Sequence, residues 1–249
     1  MYKKAIKDNS KMLIPFLQGI KNKDSEEIIS NVGTLLIINE KTLLTCKHIA
    51  ESIVKQESVI NWFFKIEKDT KIEIIVHPVL DIAIIKFDKK VFNIKKKAVF
   101  SDKLPEQGQS ICKLGYAFPN VDIFEQVDDE IKIKENGNLE LPLFPLDGIV
   151  TRHINLVFED KIYKDSLFET STPGLRGQSG GPVFSPEGII YGIQSATSHI
   201  DLNFDVESKL NKTNIPQPQF INLGIVVSSK EIIKFLESKN IEVSKYRKS

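Results

Sequence analysis

The chain reads as an all-β protein, built as a closed barrel or a sandwich, and three observations carry that expectation. Short runs rich in β-branched and aromatic residues recur along its length, turn residues separate them, and no convincing helix-period stretch interrupts the first half. At 249 residues it can bury a sizeable core as one large β unit or two small barrels.

The first runs are Leu35–Ile38, Lys41–Thr45, Val59–Phe64, Lys71–Val76, Ile82–Phe87 and Ser110–Leu114, divided by Asn39-Glu40 and by Ser101-Asp102 with Pro105. A short helical turn is expected after His48. The second half continues with Leu114-Gly115-Tyr116-Ala117, Gly148-Ile149-Val150-Thr151, Leu167–Thr170, Ile189–Ser195 and Phe220–Val227. Between them, Ile131–Lys134 and Leu139–Leu141 alternate around Asn136-Gly137. Asn-Gly is the favoured two-residue hairpin turn, so a hairpin is predicted there. Ser198 to Gln219 is polar and holds Pro216 and Pro218, which predicts a long surface loop. Ser228-Ser229-Lys230-Glu231 has the form of a capping box. With the apolar stripe Ile232, Ile233, Phe235 and Leu236 behind it, a helix is predicted over 229–240.

Composition removes several classes of function. A formal charge of +1 leaves no overall field to attract nucleic acid or an anionic membrane. The run Lys89-Lys90 through Lys95-Lys96-Lys97 reads as a solvated loop. No apolar stretch reaches membrane-spanning length, and Met12–Leu17 is too short for a secretory signal core. Two cysteines, Cys46 and Cys112, suit a reducing compartment, so a cytoplasmic location is expected. His153 and His199 have no convincing zinc-ligand spacing. In Asp201-x-Asn203-x-Asp205-x-Glu207 a valine, Val206, stands where a calcium loop needs glycine. No metal or cofactor is expected.

Chemistry concentrates in three segments. In Arg176-Gly177-Gln178-Ser179-Gly180-Gly181-Pro182 a serine lies among glycines, which leave its hydroxyl uncrowded and let backbone amides converge on one point. In Leu43-Leu44-Thr45-Cys46-Lys47-His48-Ile49-Ala50 an apolar strand ends at a histidine, the side chain whose ordinary pKa suits proton relay at neutral pH. In His77-Pro78-Val79-Leu80-Asp81-Ile82-Ala83-Ile84-Ile85 an aspartate opens a strand. His77 precedes proline and reads as a loop residue, Asp88 ends its strand, and Cys46 lacks a glycine-rich neighbourhood and reads as a buried thiol.

The order His48, Asp81, Ser179 is that of the chymotrypsin-type triad. These segments resemble the trypsin-like (chymotrypsin-fold) serine peptidases, and more closely their bacterial Deg-type branch. Thr45-Cys46-Lys47-His48 stands where that family has Thr-Ala-Ala-His, Asp81-Ile82-Ala83-Ile84-Ile85-Lys86 where it has Asp-Ile-Ala-Leu-Leu-Lys, and Gly177-Gln178-Ser179-Gly180-Gly181-Pro182 where it has Gly-Asp/Asn-Ser-Gly-Gly-Pro. The likeness runs from about Met12 to Val227.

The resemblance implies two packed six-stranded antiparallel β-barrels in one peptidase unit. Residues 11–103 would carry His48 and Asp81, 104–228 would carry Ser179, and a helix at 229–240 would close the chain. It implies an oxyanion hole from the N–H groups of Gly177 and Ser179, and a pocket with Pro173 and Gly174 at its base and Ser195, Ala196 and Thr197 as its wall. Without an acid at that base, an apolar P1 side chain is expected. Gln178 stands where digestive relatives use aspartate to anchor a released N-terminus, so that mode of activation is not expected.

The expectation is therefore a serine endopeptidase acting on proteins or peptides. No PDZ-like domain follows it, and an activating protein partner would work through the 198–219 loop and the Asn136-Gly137 hairpin, which keep the pocket or the oxyanion loop misformed until it binds. The rival is a catalytically silent protease-fold binding module in a cytoplasmic complex. A third reading keeps the chemistry and narrows it to one partner protein in a bacterial defence or toxin pathway.

Overall fold

The computed structural model describes residues 1–21, 28–55, 60–62, 69–127, 130–210 and 213–246. In chain order the elements are α1 (Lys3–Asn9), β1 (Leu13–Lys21), β2 (Ile28–Asn39), β3 (Thr42–Thr45), α2 (Lys47–Lys55), β4 (Ile60–Trp62), β5 (Ile72–Val76), β6 (Ala83–Phe87), β7 (Val99–Ser101) and β8 (Ser110–Tyr116). There follow β9 (Asn120–Val127), β10 (Glu130–Glu140), β11 (Leu143–Phe158), β12 (Lys161–Thr170), β13 (Pro182–Phe184), β14 (Ile190–Leu210), β15 (Thr213–Ser228), α3 (Ser229–Ser238) and β16 (Ser244–Tyr246). The fold is all-β and chymotrypsin-like, with a C-terminal helix.

Two sheets make the body. The first has six strands in the order β4-β1-β2-β3-β6-β5, all pairs antiparallel. In the second, β13-β8-β11-β12-β15-β14 closes on itself, because β14 also pairs with β13. This ring is a six-stranded barrel, whose interior holds Ile111, Val150, Phe168, Val183 and Val226. Strands β7 and β16 add to the outside of β14 in parallel, so Val99–Ser101, within the span expected for the first barrel, pairs with the second sheet. The larger core is continuous between the sheets: Phe16, Leu44 and Ile84 share it with Leu114, Phe184 and Val227, and α3 adds Ile232, Phe235 and Leu236. Burying side chains of this size contributes about 2 kcal/mol each, which is why alternation along the strands fixes their register.

Four local expectations are corrected. Asn136-Gly137 is not a turn: both residues lie within β10, at a bulge where the register against β9 shifts between Ile133 and Asn138. A Cβ at Gly137 would stand 2.6 Å from the Asp122 carbonyl oxygen, so glycine serves close backbone approach at the bulge. The stretch Ser198 to Gln219 is not a loop but most of a β-hairpin, in which His199 pairs with Asn222 and Glu207 with Pro216. The capping box does not form: Ser228 makes no side-chain cap, its hydroxyl donating instead to the Asp165 carbonyl at 3.1 Å, and Glu231 pairs with Lys234 at 2.6 Å. The helix spans Ser229–Ser238. Finally, α1 was not expected; it docks on the second sheet through Tyr2 against Phe184 and an Asn9 amide donating to the Gly188 carbonyl.

Candidate active site

His48 is the second residue of α2, at the point where the buried strand β3 turns into helix. Asp81 lies in the bend before β6, which pairs with β3, so adjacent strands deliver both residues to one end of the first sheet. Two contacts lock them together. The His48 backbone N–H donates to Asp81 Oδ1 at 3.0 Å, and ring Nδ1 lies 2.9 Å from Oδ2 and 3.1 Å from Oδ1. The Ser195 hydroxyl, from β14 of the second sheet, donates to Oδ2 at 2.5 Å. Burial alone would raise the Asp81 carboxyl, but the hydrogen bond and charge of His48, the Ser195 hydroxyl and the His48 N–H outweigh it and hold the group down at about 2. Asp81 is therefore ionised at neutral pH and orients the imidazole by its Nδ1.

His77 shapes the same bend by a different role. Its Nδ1 accepts the N–H groups of Val79 at 3.1 Å and Leu80 at 2.9 Å, and its ring packs edge-on against Phe235. Burial lowers its pKa, so it stays a neutral acceptor. Cys46 is fully buried, its thiol 3.1 Å from the Gln194 carbonyl, with burial and the nearby Asp81 charge raising its pKa well above the ordinary value. Its sulfur lies within 4.8 Å of the His48 and Asp81 ligand atoms, but with no thiolate and with the imidazole already bonded to the carboxylate the group is arranged for proton relay.

Ser179 lies in the segment between β12 and β13, which spans both sheets. Thr34 of β2 donates its N–H to the Ser179 carbonyl at 2.8 Å and its hydroxyl to the Gly177 carbonyl at 2.7 Å. Gly180 donates to the Gln194 carbonyl at 2.9 Å. Gly177 and Gly180 have φ of +92° and +86°, and a Cβ would stand 2.0 Å from the Tyr116 oxygen at the first and 2.2 Å from the Thr34 oxygen at the second. Only glycine fits either place. Gln178, fully buried, is an internal brace: its Oε1 accepts from Leu175 N–H at 3.2 Å and its Nε2 donates to the Phe144 carbonyl at 3.1 Å. Among the described residues no hydrogen bond joins the Ser179 hydroxyl to His48.

Gly174, Ser195, Ala196 and Thr197 line, with Ser179, a cavity of about 170 Å³ that Leu175, Arg176 and Gln194 complete. Thr197 closes one side by accepting the Gly174 N–H and donating to the Gly174 carbonyl, both at 2.9 Å. Pro173 does not line the cavity. Its carbonyl accepts from Lys113 Nζ at 3.1 Å, and the Thr172 carbonyl does so at 2.5 Å. Lys113 is fully buried, and burial lowers its pKa to about 7. Sequence reasoning missed Lys113 because a lysine next to a cysteine in an apolar strand carries no signal of the loop it meets. It missed the Ser195–Asp81 bond because that contact joins opposite halves of the chain. A larger cavity of about 680 Å³, between the 101–109 turn, Tyr191 and Tyr246, is lined by neither histidine nor cysteine.

No family model matches this chain, and no curated protein matches it in sequence. Solved structures do match. The Rv3671c protease from M. tuberculosis in its active form aligns with a TM-score of 0.58 at 12% identity, over 96% of this chain and 86% of that one. An inactive form of a serine-to-alanine variant of Rv3671c gives 0.55 at 12%, covering 94% and 89%. An inactive form of the Rv3671c protease gives 0.51 at 14%, covering 94% and 91%. At such identities the likeness establishes a protease-type fold and nothing finer.

Proposed function

We propose that the chain is a serine endopeptidase in which Ser179 is the nucleophile, His48 the general base and acid, and Asp81 the group that orients and stabilises the imidazolium. The observation that carries this reading is the doubly bonded His48–Asp81 pair, locked by Ser195, at the same end of the first sheet to which Thr34 ties the glycine-flanked Ser179 segment. His48 removes the Ser179 proton as the hydroxyl attacks a peptide carbonyl, then returns it to the leaving amine. Water completes the hydrolysis of the acyl-enzyme by the same relay. The N–H groups of Gly177 and Ser179 stabilise the oxyanion, each donor contributing about 3 kcal/mol to the transition state. The Arg176 carbonyl accepts from Phe118 N–H at 3.4 Å, which in a trans peptide turns the Gly177 N–H the opposite way.

The finer features follow as one reading. Residues 11–103 and 104–228 act as two lobes of one peptidase unit of the Deg type, which needs no cofactor. The lining of Gly174, Ala196 and Thr197, with no acidic side chain, suits a small to medium apolar P1 residue. The strand forming the pocket wall continues into the long β14–β15 hairpin, which suits a restricted set of protein substrates and control by a bound partner. No described helix is long and apolar enough to cross a membrane, and two buried thiols suit a reducing cytoplasm.

One observation favours the silent binding module: the Ser179 hydroxyl is not hydrogen-bonded to His48 among the described residues. Such bonds are often long before substrate arrives. Labelling with a fluorophosphonate probe decides. Wild type reacts, while Ser179→Ala and His48→Ala do not. A folded wild type that stays unlabelled with and without a candidate substrate supports the binding module instead.

A further inference from the structure

Lys113 stands inside the second barrel, on the same side of β8 as Ile111. Leu146 on β11 and Val183 on β13 stand opposite it in register, Gly224 on β15 with its partner Thr170 on β12 lies against its ammonium, and no charged neighbour shifts it. Its Nζ instead meets two consecutive carbonyls, Thr172 at 2.5 Å and Pro173 at 3.1 Å. The Thr172 oxygen also accepts from the Thr170 hydroxyl at 3.0 Å and from Gly224 N–H at 2.8 Å, so three donors converge on one peptide. The fit extends to Gly224, where a Cβ would stand 2.1 Å from Nζ. The next residue along the chain is Gly174, which lines the cavity beside Ser179.

We propose that Lys113 is the positioning residue of the pocket base, its ammonium holding the Thr172 and Pro173 carbonyls from inside the barrel and so fixing where Gly174 stands relative to Ser179. The assignment of that cavity to the P1 side chain rests on the peptidase reading above; the mechanical role of the lysine does not. An ammonium donates to carbonyls about twice as strongly as a neutral amine. Its hold is complete below the pKa of about 7 and weakens as pH rises through it. The base then loosens while the triad, tied elsewhere, keeps its contacts.

Two readouts test this. Lysine labelled at Cε reports Lys113 itself by NMR while the Gly174 and Thr197 amides are followed across neutral pH. The expected result is an amide step sharing the midpoint of Lys113 and lost in Lys113→Met. Amides that stay flat while Lys113 titrates, or that keep the step in the variant, overturn the proposal. If the variant does not fold, the wild-type midpoints decide alone. In hydrolysis of peptides, KM for a P1 side chain rises about tenfold above that midpoint, and less for P1 glycine. Equal rises for both mark a general structural role and also overturn it. Amides that titrate as expected, in a protein whose Ser179 never labels, would sink the peptidase reading and leave the lysine's role standing.

Discussion

Asp81, partly buried and bonded to Ser195, and Lys113, fully buried and bonded to the residues just before Gly174, each hold a segment that lines one cavity, and their surroundings treat their charges in opposite ways. Burial works against the charged form of each. Asp81 receives an imidazole, a hydroxyl and a backbone N–H, all donors, and its carboxyl is held at about 2. Lys113 receives two neutral carbonyls, and burial prevails, bringing it to about 7. The lesson is that depth in the fold does not set protonation; the number and kind of partners do. An aspartate built this way stays charged across the physiological range. A lysine built this way changes state within it.

The comparison is broken most forcefully at Asp81. Asp81→Asn keeps the shape but forces the wrong imidazole tautomer, and kcat on a peptide substrate should fall about 10⁴-fold. A fall under tenfold would mean that His48 does not act through Asp81. Next comes stability against pH, where the two groups have separate windows. The folded Asp81 pKa lies below the unfolded value, so its contribution, on the order of 2 kcal/mol, is present above pH 4 and lost as pH falls toward about 2. The folded Lys113 pKa also lies below the unfolded value, but for a lysine this means that the unfolded chain holds the extra proton. Stability therefore rises with pH from about 7 toward the ordinary lysine range. Denaturant unfolding of wild type and Lys113→Met should show the variant's relative advantage shrinking over that window; a constant difference would contradict it. The smallest effect is at Ser195. Ser195→Ala removes one of the donors on Asp81, so the carboxyl moves back up and kcat/KM falls about three- to tenfold. An unchanged acid limb in the pH–rate profile would show that His48 alone holds the carboxylate.

Much of this was legible before any coordinates, and the reasons are local. The expectation at His48, Asp81 and Ser179 rests on residue type and immediate context, and the structure joins the first two by hydrogen bonds. The Ile82–Phe87 and Lys71–Val76 runs became β6 and β5 almost to the residue. The misreadings also have local causes. Pro216 and Pro218 argued against a strand, yet the described pairings of β15 with β12 cover only Gly224–Val227, leaving the prolines on an open edge where a missing N–H costs nothing. Asn136-Gly137 carried a strong turn signal, but the partner of β10 is β9, upstream, and the pair absorbs the two residues as a bulge. The contacts of Lys113 and Ser195, and that of Gln178 with Phe144, were beyond reach, because each joins residues far apart in the chain.

Thr34 offers a consequence of another kind. This one residue of β2 holds the Ser179 and Gly177 carbonyls, takes the Tyr116 N–H on its hydroxyl at 3.1 Å, and yields its own carbonyl to the Thr45 hydroxyl at 2.9 Å. The Ser179 segment is thus shaped on a template made of chain synthesised before it. During translation, the first sheet can assemble while the serine is still unmade, and the late-arriving loop closes onto it. A nascent chain has no finished Ser179 segment until strands of both sheets exist.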